Sequence, residues 1–402
     1  MSQAASWLHG MPSEWQRKKL KYVASLKSGD SITSDDIAES GEYPVFGGNG
    51  IRGYASAYTH EGRHVLIGRQ GALCGNINYA TGRFWASEHA VVAAIRADSN
   101  VTWLGELLRS MNLNQYSQSA AQPGLAVDVI ANLEIPVPPL RQQRAIATYL
   151  DHETAQLDAL VAAKERVLGL LAEKRRAFIT HAVTRGLDPR APLRDFGIPW
   201  LGKIPAHWET RRVAWLFRER DERGEPDLPL LEVSIKAGVV LREFSEERIE
   251  STAADFNSYK VARQGDVVFN KMRMWQGAVG VAPQDGLVSP DYVVAAPTGP
   301  LLSKYAGLLF RTDMFSAECA RRSHGIVWDR LRLYWEGFRE IEVPLPSTAA
   351  QAEIISNIAR ETTKLDSLKI ATERTISLLK ERRAALIATA VTGQINVVEA
   401  DT

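Results

Sequence analysis

The chain has 402 residues, 45% of them hydrophobic and 24% charged. It is too long for one comfortable core, since domains usually run about 100–200 residues, and too apolar to be disordered along most of its length. Net charge is +1, and residues 1–134 hold 11 Lys+Arg against 12 Asp+Glu while residues 189–340 hold 22 against 21, so charge balance alone argues for no nucleic-acid partner. The two cysteines, Cys74 and Cys319, lie far apart without a CxxC, which excludes a disulfide framework and a cysteine-built zinc site. No apolar run approaches the roughly 18–20 residues of a membrane span, and the opening MSQAASWLHGMPSEW lacks the basic-then-apolar pattern of a signal peptide. A cytoplasmic protein without membrane contact is expected.

In chain order, residues 1–140 read as a mixed α/β domain. Short β-branched runs bounded by Gly, Asn and Pro (EYPVFGGNG, RHVLIGRQG) precede a helical stretch at TWLGELLRSMN. A Pro-rich lead, IPVPPL, then opens a long helix over 141–183 that contains no proline and is dense in Ala, Leu, Glu, Lys and Arg. Residues 184–346 return to mixed α/β patterning with GDVVFN, SPDYVVAAP and the helical LLSKYAGLLFRTDMFSAECARR. A second lead, IEVPLP, opens a second long helix over 347–392, and 393–402 form a C-terminal tail.

The two helices are a repeat. From Gln143 onward the offset is constant at 208, and Leu157–Thr184 matches its second copy at 15 of 28 positions without a gap. Ile146, Leu150, Leu157, Leu160, Val167, Leu171 and Phe178 recur at spacings of 3, 4 and 7, with Ile354, Ile358, Leu365, Leu368, Leu379 and Leu386 in the second copy. Helices of roughly 60 Å outrun the face of a small domain and need a partner, so a coiled-coil seam is expected, with Leu157, Leu160, Leu171, Leu365, Leu368 and Leu379 as partner-binding residues. The domains echo each other more weakly: PSEWQRKKL resembles PAHWETRRV, and GRQGALCGNI occupies the place of NKMRMWQGAVG.

Catalytic motifs are missing. Gly48, Gly50 and Gly53 form a GxGxxG after a plausible strand, but YASAYTHEG cannot open the apolar-periodic helix that a dinucleotide needs, so a tight glycine loop is expected there. There is no GxxxxGK[ST], HExxH or G-x-S-x-G, and Cys74 has no neighbouring histidine. Pro226-Asp227, Glu232 and Lys236 have the wrong spacing for a PD…(D/E)xK nuclease. What stands out is polar and aromatic chemistry suited to contact without catalysis. Arg is the residue for bidentate guanine readout, Asn and Gln for adenine, and Lys or Ser for phosphate. The candidates are Arg52, Arg69 and Gln70 in the first domain, beside Asn49, Asn76 and Asn78, and Asn270, Lys271, Arg273, Gln276, Ser323 and Arg330 in the second.

The sequence resembles the DNA specificity subunits of type I restriction-modification enzymes. The resemblance rests on RQQRAIATYLD and QAEIISNIA, each followed by the LDxL…ER…LL helix, on YKVARQGDVVFNKMRMWQGAVGV, DGLVSPDYVV and SHGIVWDRLRLYWEGFREIEVPLP, and on YPVFGGNGIRGY. The family's Glu-Gln pair at the helix start appears here as Gln142-Gln143 and Ala350-Gln351. The resemblance implies an α+β chain with two target recognition domains, each reading half of a bipartite, asymmetric site in double-stranded DNA, and two long helices paired as an antiparallel coiled coil. It implies no catalysis and no cofactor in this chain. Two DNA adenine methyltransferase (modification) subunits would carry S-adenosylmethionine, and two restriction/translocase subunits would use ATP and Mg. A fused methyltransferase or nuclease and a coiled-coil scaffold without a DNA role are the competing classes. Turnover by the chain alone with S-adenosylmethionine and DNA, or footprinting with the modification partner, separates them.

Overall fold

The computed structural model describes residues 6–8, 10–71, 73–117, 124–242, 256–325 and 331–397. Its helices are α1 (Val101–Ser110), α2 (Val127–Ala131), α3 (Leu140–Arg185), α4 (Ser303–Phe310), α5 (Asp313–Arg322), α6 (Trp335–Arg339) and α7 (Thr348–Val391). The chain divides into two compact units, residues 1–166 with 373–402 and residues 167–372, so each unit contains part of both long helices. The α+β class with two β-rich domains and two long packed helices is the one expected from the sequence.

The first unit is built on a four-stranded antiparallel sheet in the order Ala24–Ser28, Ala90–Ile95, His64–Gly68, Ile77–Ala80. Strand side chains alternate between faces, and both faces here are covered. Val65, Ile67, Val91 and Ala93 pack with Leu104, Leu107 and Leu108 of α1, while Leu66 and Val92 pack with Phe46, Phe84 and Ala86 of a second sheet. The second unit repeats the order with Phe217–Arg220, Tyr292–Pro297, Val267–Asn270 and Val279–Val281. There Val267, Phe269, Val293 and Ala295 face Tyr305, Leu309 and Phe310 of α4, and Val268 and Val294 face Leu231, Val239 and Val288.

Within each unit the two helices run antiparallel and exchange roles. In the first, Ile146 and Leu150 of α3 share a core with Ile387, Ala390 and Val391 of α7. In the second, Ile354 and Ile358 of α7 share one with Ala182 and Val183 of α3. These are the same repeat positions, 208 residues apart. Ion pairs follow suit: Arg383 Nε bonds Asp158 Oδ1 at 2.9 Å in the first unit, and Arg175 bonds Asp366 in the second. The expected apolar seam is therefore incomplete. Leu160 and Val167 are 50% and 40% exposed, because the facing positions between the buried ends are taken by charge pairs.

A buried glutamine ties each helix start to its domain. Gln143 is 1% exposed; its Oε1 accepts from Asn100 N at 2.8 Å and its Nε2 donates to Pro138 O at 2.9 Å. Gln351, 0% exposed, accepts from Leu302 N at 2.7 Å and donates to Pro346 O at 2.8 Å and Pro300 O at 3.1 Å. Each side chain bridges the Pro-rich lead and the residue preceding α1 or α4, so it fixes helix and sheet together. Gln351→Ala strands an N–H and two carbonyls, and a buried group left unpaired costs about 1–3 kcal/mol. A loss of about 2–4 kcal/mol in urea denaturation is expected for that variant. Gln351→Glu should not rescue it, because a carboxylate oxygen would face two carbonyl oxygens. A shift below about 0.5 kcal/mol would show that the glutamine is not the tie.

Candidate nucleic-acid interface

The hairpin joining the third and fourth strands of each main sheet carries a loop of the same length and closure, residues 69–76 and 271–278. Gly68 N donates to Asn76 O at 2.8 Å, and Asn270 N to Ala278 O at 3.1 Å. Arg69 O accepts from Leu125 N and Lys271 O from Leu333 N, each at 2.9 Å. Gly75 and Gly277 sit at φ 88° and 82°, in the left-handed region that favours glycine. The two loops thus occupy corresponding places at the same end of corresponding sheets.

In the first unit this end gathers three further segments. Gly48 lies in the turn between strands Tyr43–Gly47 and Gly50–Ala55, and Gly50, at φ 99°, opens the second of them, so the GxGxxG runs from strand to strand and no helix starts there. Arg69 is half-buried and donates from Nη1 to Ser28 Oγ at 3.0 Å. Gln70 is exposed, with its Oε1 2.9 Å from His89 Nδ1, and His89 in turn lies 3.1 Å from Glu88. Asn76 Nδ2 donates to Asn49 Oδ1 at 2.7 Å, joining the two loops. Arg52 is exposed and, among the described residues, makes no ion pair or side-chain hydrogen bond. Cys74 is buried, its thiol pushed up by that burial, and it donates weakly to Arg69 O at 3.4 Å, which makes it a packing residue of the loop.

In the second unit Arg273 and Gln276 are exposed, with no side-chain partner among the described residues. Lys271 Nζ reaches Pro290 O at 3.5 Å, a weak contact that leaves the ammonium half-exposed. Asn270 is differently employed: its Oδ1 accepts from Met272 N at 2.9 Å and shapes the loop. Ser323 donates to Cys319 O at 2.7 Å, finishing α5, beside a backbone bridge between His324 and Arg332. Arg330 lies outside the described residues. Arg321 and Arg322 both bind Glu318, where burial raises the carboxyl's pKa but the two guanidiniums outweigh it and hold it below the usual range.

Of the helix leucines, Leu157 is buried, Leu171, Leu365 and Leu379 are half-buried, and Leu160 and Leu368 are 50% and 54% exposed. Sequence reasoning missed two exposed aromatics. Leu20 N bonds Leu133 O and Val213 N bonds Ile341 O, each at 2.9 Å, which makes Tyr22 and Trp215 equivalent, at 60% and 74% exposure. Both stand at the sheet end opposite the loops, next to Ala24 and Phe217. The match between PSEWQRKKL and PAHWETRRV ends two residues before them.

Residues 12–168 match the model of the type I restriction modification DNA specificity domain. The chain is 46% identical over 142 residues to the type I restriction enzyme EcoprrI specificity subunit of Escherichia coli, an alignment covering 34% of this chain and 35% of that one. It is 20% identical to the EcoDI specificity subunit of Escherichia coli across 96% of this chain and 89% of the other. The likeness to the type I restriction modification DNA specificity domain thus rests on residues 12–168, and the chain spans about a third of the length of the EcoprrI subunit it matches. Its fold is similar to a solved chain of a type I R-M system, with a TM-score of 0.63 at 17% identity over 96% of this chain and 100% of that one. It is also similar to the HsdS subunit from Thermoanaerobacter tengcongensis, with a TM-score of 0.52 at 16% identity over 96% and 98%. Among the described residues, no cluster of His, Cys, Asp or Glu could hold a metal, and no helix is long and apolar enough to cross a membrane.

Gly68 sets how closely the two first-unit loops approach. A Cβ there would lie 2.3 Å from Gly48 O and 2.8 Å from Leu73 O, both backbone atoms that cannot swing aside. Gly68→Val is expected to destabilise the first unit by about 1–3 kcal/mol through overpacking, and to shift the amide resonances of both loops. Unchanged stability and spectra would show that the approach is not tight.

Proposed function

We propose that this chain is the non-catalytic DNA-recognition subunit of a type I restriction-modification enzyme, each β-rich domain reading one half of a bipartite, asymmetric double-stranded site in cytoplasmic DNA. The observation that carries the reading is the recurrence, at one sheet end of both domains, of an equal-length loop bearing basic and amide side chains, of which Arg273 and Gln276 have no side-chain partner among the described residues. Arg52 and Gln70 from the first domain, and Arg273 and Gln276 from the second, are the base-reading candidates, because their polar ends are exposed. Arg69 and Lys271, the equivalent first residues of the two loops, are the phosphate candidates. Asn270 and Ser323 act through the backbone they brace.

The helices serve assembly in this reading. Exposed Leu160 and Leu368, at equivalent positions, would dock two adenine methyltransferase subunits that hold S-adenosylmethionine, and Tyr22 and Trp215 offer each a second contact away from the DNA. Two restriction subunits using ATP and Mg would complete the endonuclease. Near-neutral charge fits a subunit that shares phosphate neutralisation with partners.

Measured on the complex with modification subunits, Arg273→Ala should cost about 1–3 kcal/mol of binding and relax one base position, whereas Lys271→Ala should weaken all sequences alike and lower the salt slope by about one. If Arg273→Ala leaves affinity and methylated sequence unchanged, the loop is not the reader. The spacer offers a separate test. Four residues inserted into each helix, after Gly169 and after Thr372, add about 6 Å of helix, nearly two base-pair steps of about 3.4 Å. The methylated sites should then show a spacer longer by one or two base pairs with both half-sites unchanged. An unchanged spacer would refute the helices as its ruler.

A further inference from the structure

The first unit carries a plug against α1. The Tyr79 hydroxyl has Glu106 Oε1 and Thr102 O within hydrogen-bond reach of its one proton, at 3.0 and 3.2 Å, and the guanidiniums of Arg63 and Arg109 lie over its ring, 5.8 and 6.0 Å from the centroid. Arg109 Nε donates to Glu106 Oε2 at 3.1 Å. The ring end sits on Gly105, where a Cβ would lie 2.1 Å from the tyrosine oxygen. Phenol, carboxylate and guanidinium therefore fill and neutralise one site.

The second unit keeps the site and removes the plug. Strand pairing opposes Val65 to Tyr79 and Val267 to Val281, and the glutamine ties make Asn100 equivalent to Leu302. Tyr79, Gly105, Glu106 and Arg109 thus become Val281, Gly307, Leu308 and Arg311. The glycine and the guanidinium remain; the ring and the carboxylate are gone. In their place is a hollow of about 360 Å³ with an apolar floor of Ile179, Val281, Leu308 and Ile358, rimmed by Arg175, Lys304 and Arg311. That volume lies within the range of small-molecule sites.

Among the described residues the charge at the rim is not balanced. Arg311 Nη2 donates to the carbonyls of Ile235 and Lys236, at 2.9 and 2.5 Å, and meets no carboxylate among them. Lys304 has no side-chain partner among the described residues, and Arg175 has only Asp366. Partial burial, then the positive charge of Arg175, push the Arg311 pKa down.

We propose that this hollow binds a small carboxylate with a phenyl-sized apolar body, the ligand supplying the ring and the anion that Tyr79 and Glu106 supply in the first unit. The walls come from α3, α7, α4 and an edge strand, so occupancy joins helices and sheet within the second unit and stabilises it by mass action. Nothing in this depends on the DNA reading.

The probe is 4-hydroxyphenylacetate, titrated into the full chain by calorimetry and ligand-observed NMR, with the neutral 4-hydroxyphenylacetamide as control. Saturable millimolar binding is expected, weaker by about tenfold or more for the amide and for Arg311→Gln, since each removes a charge-assisted bond. The double variant Val281→Tyr/Leu308→Glu rebuilds the first-unit plug and should abolish binding while keeping the second unit folded. Absence of saturable binding to the native chain, or equal binding of acid and amide, overturns the proposal. So does unaltered binding by the plugged variant. Should the plugged variant fail to fold, the amide and Arg311→Gln comparisons decide alone.

Discussion

A helix of more than forty residues with one apolar stripe cannot bury that stripe on a small domain, and the organisation of this chain follows from how the problem is solved. Each long helix finds its partner in its own repeat, and the antiparallel arrangement lets one set of residues serve twice. Ile146 and Leu150 meet Ala390 and Val391 in the first unit; Ile354 and Ile358 meet Ala182 and Val183 in the second. A surface that complements its own copy is the logic of a twofold homodimer interface, here within a single chain. Asp158 with Arg383, and Asp366 with Arg175, carry the same exchange into the charged stretch. Exposed ion pairs of this kind are worth about 0–1 kcal/mol each, so the apolar ends hold the helices and the charges set their register.

Attachment of the β-rich domains is a second constraint, met by hydrogen bonds instead of area. A buried glutamine with donor and acceptor both satisfied is tolerated in a core, whereas a half-satisfied one is costly. Gln143 and Gln351 have their partners on two segments each, the Pro-rich lead and the loop before a domain helix. The helix start therefore cannot rotate without breaking bonds that water cannot reach. Loops at the far sheet end inherit that rigidity, which suits side chains meant to meet a partner at fixed positions.

The long-range plan was legible because it is written in periodicity. The offset of 208, the proline-free stretches and the 3–4–7 spacing predict two long paired helices, and β-branched runs between glycines predict the sheets. Less of the site could be read. Arg69 and Gln70 stand at the loop end as residues of the right type, yet nothing in their neighbourhood in sequence announces Ser28 and His89 as their partners, 41 and 19 residues away. Leu160 looked like a seam residue because periodicity places it on a stripe, and only three-dimensional packing reveals that the stripe is broken by charge pairs. Tyr22 and Trp215 share no letter, so no repeat search could pair them; their equivalence rests on backbone hydrogen bonds.

The two halves also separate what the scaffold requires from what recognition can vary. Where geometry demands a residue type, the halves agree: Gly75 and Gly277 at positive φ, Gln143 and Gln351 at the joints. Where only the loop surface is at stake they differ, with Arg69 against Lys271, Gly71 against Arg273 and Cys74 against Gln276. Since Cys74 is buried and Gln276 exposed, the same backbone frame presents a polar end in one domain and a closed surface in the other. Divergence confined to the loops leaves the backbone hydrogen bonds that close each hairpin intact, so a loop side chain can change its contacts without a change in fold.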